Sequence, residues 1–341
     1  MRAIRLRQHL DQCLAPARIL APMNRFDRGR RKRKWREPVV RVPAVRWTNM
    51  PVWLAKTAVV DLRDYDGHRS LTAARLRSLL RTEVRRPIFV VGSPRSGTSF
   101  LGGCLGALES ISYHREPVAM KAVAQHVWRD EWSPQRTQRT YQLIYRSLLR
   151  LHLAGDLRLM DKTPQNAFLV PSLAETFPDA QFIHIVRDGR DATVSYLEKP
   201  WVRQIYAWTH RRDPGGQPYG PFAPYWVEEA RRAEFESTSD LHRSVWVWRR
   251  HVETALEAGE KLPPDRWTEV RYEDLQSDPH AQGDRLADFL GVATDERSRL
   301  HEALEAADPG SVGRWRSRLD DAALEVVEHE AGKLLARLGY T

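Results

Sequence analysis

Cysteine is nearly missing: Cys13 and Cys104 are the only two in 341 residues. One lies near the N-terminus and one within an apolar stretch with helical spacing, so a disulfide framework is excluded as the basis of the fold. No cluster of His and Cys has the spacing of a metal site, and no metal is expected. Nowhere does an apolar run approach the ~18 residues needed to cross a bilayer. Arginines interrupt the N-terminus too often for the apolar stretch of a signal peptide, so a soluble, cytoplasmic protein is expected. Acidic charge is scarce in one place only. Residues 1–36 hold twelve Lys and Arg against two Asp, which accounts for the whole net charge of +10. The remaining residues carry 42 basic and 42 acidic groups and balance. The basic character therefore belongs to a tail, of a kind attracted to anionic surfaces, whether lipid or nucleic acid, which leaves a non-catalytic nucleic-acid-binding protein as a rival reading. A solvated tail is the commonest form of such runs, and no specific nucleic acid is expected.

Residues 1–80 read as a basic, partly irregular extension, with helical spacing at 71–80. The body at 81–341 opens with Ile88-Phe89-Val90-Val91, a short β-rich apolar run that predicts a buried strand. Further strands are predicted at 157–160, 180–186 and 267–272, with helical patterns at 98–108, 134–153, 166–177, 188–197, 240–258 and 319–338 between and after them. Strand and helix alternate, which predicts an α/β three-layer sandwich: a central, mostly parallel sheet flanked by helices. Leu324, Val327, Ala331, Leu334 and Leu338 form one apolar stripe and are core candidates. Residues 198–236, dense in Pro, Trp and Tyr, read as an irregular insertion. Such a segment suits either a lid over an acceptor, with stacking surfaces for sugars and rings, or a packed appendage.

After the first strand comes Gly92-Ser93-Pro94-Arg95-Ser96-Gly97-Thr98-Ser99, and a helix follows. A glycine loop that opens a helix presents free N–H groups and a positive dipole end to an anion. The spacing is that of a Walker A loop, but Thr98 stands where the phosphate-binding Lys would be and Arg95 supplies the cation. That departure counts against a P-loop kinase or other NTPase, whose chemistry needs the Lys and magnesium. A second segment, Phe182-Ile183-His184-Ile185-Val186-Arg187-Asp188-Gly189-Arg190-Asp191-Ala192-Thr193-Val194-Ser195, places Arg187 at a strand's carboxyl end, where open α/β sheets bind ligands.

The loop at 93–99 resembles the 5′-phosphosulfate loop of the sulfotransferases that use 3′-phosphoadenosine 5′-phosphosulfate (PAPS). It is similar to the bacterial and tyrosylprotein branch, whereas the cytosolic phenol and steroid enzymes have Lys where this chain has Arg95. The resemblance covers residues 85–341. It implies a P-loop-like core, PAPS as co-substrate, 3′-phosphoadenosine 5′-phosphate (PAP) as product, and a hydroxyl or amine acceptor. It implies that Arg95, Ser96, Gly97, Thr98 and Ser99 hold the 5′ end, and that Arg187 and Ser195 hold the 3′-phosphate. Val270-Arg271-Tyr272-Glu273-Asp274-Leu275 is similar to the family's segment whose Tyr lies near the nucleotide, here Tyr272. Ser311-Val312-Gly313-Arg314-Trp315 resembles a late loop over the nucleotide, here with Arg314, although the cytosolic enzymes have a longer, Gly-rich version. Lys162, in Met160-Asp161-Lys162-Thr163-Pro164, matches a transition-state Lys, and Arg95 is its partner in that role. Glu116, in His114-Arg115-Glu116-Pro117, matches the general base of the tyrosylprotein branch, with His114 as its rival. Carbohydrate, lipid, phenolic metabolite and peptide tyrosine are all compatible acceptors.

Overall fold

The computed structural model describes residues 82–213, 216–306 and 309–340, with isolated positions between 51 and 79. The basic run at 1–36 and Cys13 lie outside the described residues, as does most of the expected helix at 71–80.

Five strands form one sheet: β1 (Ile88–Gly92), β2 (Ile111–Arg115), β3 (Arg158–Lys162), β4 (Gln181–Val186) and β5 (Trp267–Arg271). Their order is β2-β3-β1-β4-β5, and every pairing is parallel. Parallel strands covered on both faces must be apolar throughout, and β1 and β4 are fully buried along their length. Alternate side chains of β1 feed opposite layers. Phe89 and Val91 join a core with Met120, Tyr141, Tyr145, Leu148 and Leu173. Ile88 and Val90 join another with Leu101, Leu105, Leu275, Leu286 and Leu300. Phe89 also stacks on Phe182 of β4, their centroids 5.2 Å apart. Truncating such a ring to Ala costs about 3–5 kcal/mol.

Between β1 and β4 come α1 (Thr98–Gly106), α2 (Val118–Trp128), α3 (Pro134–Leu151) and α4 (Val170–Thr176), with a 3₁₀ turn at Pro164–Phe168 before α4. After β4 come α5 (Gly189–Leu197), α6 (Arg232–Ser237) and α7 (Asp240–Gly259). After β5 come α8 (Tyr272–Ser277), α9 (Pro279–Leu290), α10 (Thr294–Glu305) and α11 (Asp321–Arg337). Caps set several boundaries: Ser133, Ser239, Asp278 and Asp320 each accept from a backbone N–H of the first turn. Val327, Ala331 and Leu334 of α11 bury against Val245, Trp248 and Val252 of α7, as their stripe predicts.

Three expectations change. β2 lies outside the strands expected from the sequence, because Ile111-Ser112-Tyr113-His114-Arg115 offers only two apolar residues, Ile111 and Tyr113, and no continuous apolar run. Tyr272 opens α8 instead of ending β5. The single helix expected at 166–177 is a 3₁₀ turn followed by α4.

Candidate active site

Each strand delivers one part of a single site at its carboxyl end. β1 leads into the glycine loop, β2 ends one residue before Glu116, and Lys162 is the last residue of β3. Arg187 follows β4 and Tyr272 follows β5. The chain runs from β1 out to β2, returns through β3, and crosses β1 to reach β4. That reversal of strand order is the crevice where α/β proteins hold ligands.

The loop's bend is fixed by backbone conformation. Gly97 has φ of 91° and its position leaves no room for a side chain: a Cβ there would lie 2.3 Å from the Tyr272 ring. Arg95 adopts φ of 73°, a left-handed conformation uncommon outside glycine. No side chain caps the N-terminus of α1, so its first N–H groups face whatever occupies the loop. Arg95 Nε donates to Ser195 Oγ at 2.9 Å. Arg187 Nη1 donates to the Arg95 carbonyl at 3.0 Å, and Nη2 to the Ser311 carbonyl. The Arg187 guanidinium also lies over the Tyr272 ring, 4.6 Å from its centroid. Tyr272 Oη in turn meets Ser311 Oγ at 2.7 Å. Two buried polar atoms in this cluster, Ser96 Oγ and Arg187 Nε, have no hydrogen-bond partner among the described residues. A phosphate or sulfate oxygen fits such groups, because leaving a buried donor unmatched is costly.

Beside the loop, Lys162 Nζ donates to Ser99 Oγ at 3.1 Å and to Glu116 Oε1 at 2.5 Å. Lys121 Nζ, from α2, binds the other carboxylate oxygen of Glu116. The Lys162 side chain is fully buried, while that of Glu116 is 28% exposed and so reachable from outside. Burial opposes ionisation of Glu116. The charges and hydrogen bonds of Lys121 and Lys162 outweigh it and hold the carboxyl well below the usual carboxylate range. Burial pushes the Lys162 ammonium down, against the pull of Glu116. For Lys121 the same penalty is overcome by Glu116 and by Asp213, and its pKa is raised. Neighbouring Asp161 is buried and pushed up to about 6, although Tyr145, Thr163 and Asn166 all donate to it.

Most of the candidate site residues gather at or near this edge, but not all meet. Thr98 is buried at the start of α1. Arg314 has its nearest carboxylate, Glu198, at 3.9 Å, while Ser311 in the same late loop is the residue that touches Arg187 and Tyr272. His114 is fully buried, with Nε2 on Ser112 Oγ at 3.1 Å and its ring against His152. Glu116 thus contacts Lys162, while His114 contacts Ser112 and His152. Sequence reasoning missed Lys121, Asp191 and Trp248. Asp191 accepts from the N–H groups of Gly313 and Trp315 at 2.6 and 3.0 Å and fixes the late loop on α5. Trp248 Nε1 donates to the Arg187 carbonyl at 3.0 Å. The second Asp of the Arg187–Asp191 run was the one available signal.

The insertion is both packed and exposed. Val202, Trp226, Val227 and Phe235 form a core with Phe168 and Trp246. Buried Arg243 of α7 secures it through the carbonyls of Val202 and Phe235, at 2.8 and 3.2 Å, and through Asp240 at 2.6 Å. Elsewhere, His242, His329 and Glu330 stand close enough to bind a cation. Glu330 already accepts from Arg231 and Arg249, at 2.8 and 2.6 Å, and two guanidiniums repel a metal ion.

A glycine loop between β1 and α1, with arginines at the ends of neighbouring parallel strands, defines a P-loop-like α/β protein built to hold an anionic group. The chain belongs to the sulfotransferase family, whose sequence profile matches residues 87–296. Omega-hydroxy-beta-dihydromenaquinone-9 sulfotransferase Stf3 of Mycobacterium tuberculosis (strain CDC 1551 / Oshkosh) is 25% identical over 214 residues. That alignment takes in 62% of this chain and 48% of the relative, so the chain spans about half that relative's length. Protein-tyrosine sulfotransferase A of Caenorhabditis elegans is 22% identical over 234 residues, 65% of this chain and 54% of the relative. In fold, the chain is similar to the crystal structure of sulfotransferase STF9 from Mycobacterium avium, with a TM-score of 0.51, 14% identity and 88% of each chain covered.

Proposed function

We propose that this protein moves the sulfuryl group of PAPS onto a hydroxyl, or an amine, of an acceptor by in-line displacement. The observation that carries the reading is the contact chain from Glu116 through Lys162 to Ser99 of the loop. It places a carboxylate, a buried cation and the anion-binding loop in direct succession. Glu116 takes the acceptor's proton as its oxygen bonds to sulfur. The bond from sulfur to the 5′-phosphate oxygen breaks, and PAP leaves with that electron pair. Lys162 and Arg95 offset the charge on the transferred group and the leaving phosphate. Ser96, Gly97, Thr98 and Ser99 hold the 5′ end, Arg187 and Ser195 the 3′-phosphate, and Tyr272 and Arg314 border the nucleotide. The buried Ser96 Oγ and Arg187 Nε support this assignment, since each is a polar atom to which a ligand oxygen would give a partner.

Of the two, a hydroxyl acceptor is favoured over an amine. One relative is named for an omega-hydroxy menaquinone and another for protein tyrosine, and both acceptors offer a hydroxyl to sulfur. The test is calorimetric binding of PAP, with ATP and 5′-AMP as controls, to the wild type and to Arg187→Ala. Preference for PAP, weakened in the variant, is the expected result. Equal affinity for ATP, or magnesium-dependent ATP turnover, would overturn the proposal.

A further inference from the structure

Residues 199–212 contain no Asp or Glu, but hold Lys199, Arg203, His210, Arg211 and Arg212. Within them, Gln204–Thr209 forms a short 3₁₀ helix with no buried residue. Three residues per turn aligns positions i and i+3, which puts Ile205 and Trp208 on one line. They are 62% and 85% exposed. Phe222, 40% exposed, joins them. Gly220 packs so tightly here that a Cβ would lie 3.0 Å from Ala207 Cα and 3.4 Å from the Phe222 ring. Of the seven large hydrophobic side chains exposed among the described residues, three therefore share this one tip.

The tip is braced, not collapsed. Arg212 and Pro218 form an antiparallel bridge, Tyr219 N donates to the Arg211 carbonyl at 2.8 Å, and Gly220 N to the Trp201 carbonyl at 3.0 Å. The bordering carboxylates each accept a backbone N–H. Asp213 accepts from Gln217 N at 2.9 Å, Glu236 from Ala223 N at 3.0 Å, and Asp240 from Gln204 N at 2.8 Å. His210, Arg211 and Arg212 remain exposed beside the apolar residues.

We propose that Ile205, Trp208 and Phe222, rimmed by His210, Arg211 and Arg212, dock the protein on the surface of an anionic lipid bilayer. Three apolar side chains fall far short of the ~800 Å² per partner of a standard protein interface. Shallow insertion into a bilayer needs only a few such groups, provided that cations meet anionic headgroups. Trp is suited to that boundary because its ring is apolar and its N–H polar. The twelve Lys and Arg of residues 1–36 supply a second attraction of the same sign, and stable peripheral binding takes two signals. The inference is independent of sulfuryl transfer, because its readout is binding.

The test is co-sedimentation of the full chain with phosphatidylcholine vesicles, with and without phosphatidylglycerol. The wild type is expected to sediment with the anionic vesicles. I205S/W208S/F222S is expected to lose about tenfold or more in affinity. R211Q/R212Q should lose severalfold and show a shallower salt dependence. Brominated acyl chains should quench part of the wild-type tryptophan emission, and Trp208→Ser should abolish that part. Sedimentation of the triple variant equal to wild type would assign all binding to residues 1–36 and overturn the proposal. So would concentration-dependent dimerisation without vesicle binding, which would mark the tip as a contact between copies of this chain.

Discussion

The two halves of the proposed site, one for the nucleotide and one for the acceptor, lie along the same sheet edge and are held by opposite means. Around the nucleotide half, neutral groups hold the cation: Arg187 rests on two carbonyls and the face of Tyr272. Such contacts orient a guanidinium without cancelling its charge, so the positive field stays available to a phosphate. In the acceptor half, charges hold one another: Glu116 lies between Lys121 and Lys162. Here the contacts orient and also neutralise. The first arrangement suits binding an anion, and the second suits a proton acceptor whose reactivity depends on its partners.

The largest effect is expected at the junction of the two halves. Glu116→Gln should lower turnover of PAPS, read as PAP released, by about 10²–10⁴-fold without weakening PAP binding. Retained turnover would remove the acceptor half from the chemistry. Arg187→Ala should do the converse and weaken PAP binding by about 10–100-fold, the value of a lost charge-assisted hydrogen bond to phosphate. If its affinity were unaltered, the neutral contacts would be structural only. Gly97→Ala should cost about 1–3 kcal/mol of stability, because its Cβ meets the Tyr272 ring at a left-handed φ. Thermal denaturation checks this.

Lys121→Met tests the electrostatics of the acceptor half. Glu116 has a depressed folded pKa, so its ion pairs stabilise the fold above the ordinary carboxyl value of 4.5. That contribution is lost as pH falls through the folded value. Without Lys121 the carboxyl rises, so both acid unfolding and the acidic limb of the turnover profile should move to higher pH by about one unit. Turnover near neutrality should change least of all. A profile that does not move would show that Lys162 alone sets the carboxyl.

The nucleotide half was the more legible of the two in the sequence. Its residues sit in two continuous segments, 92–99 and 182–195, where a buried apolar strand gives way to a turn with a fixed cation. β1 and β4 could be read because both faces of a central parallel strand are apolar. The acceptor half leaves a weaker trace. β2 lies at the sheet edge and carries Ser112 and His114 as a buried polar pair, so it lacks the continuous apolar run that marked β1 and β4. A helical Lys such as Lys121 reads as solvated surface. Its burial depends on Glu116 across a turn and on the charge of Asp213, far away in the chain. The tether from Asp191 to Gly313 and Trp315 likewise joins segments too distant to leave a local pattern. Arg243, buried under five hydrogen bonds to the insertion and to its own helix, was hidden for the same reason.

Glu116 takes one donor on each of its oxygens, and one of those donors, Lys162, is also the ammonium that reaches the glycine loop. An oxyanion brought to the loop competes with Glu116 for Lys162. Whichever anion wins, the other is left with less positive charge around it and a stronger affinity for a proton. The pair thus behaves as an interlock. If Glu116 is the general base proposed above, its carboxylate would gain basicity as the sulfuryl donor arrives, and a donor-first order of events would follow. Under that proposal, water would meet a less basic carboxylate at every other moment, and the donor's sulfate would be spared wasteful hydrolysis.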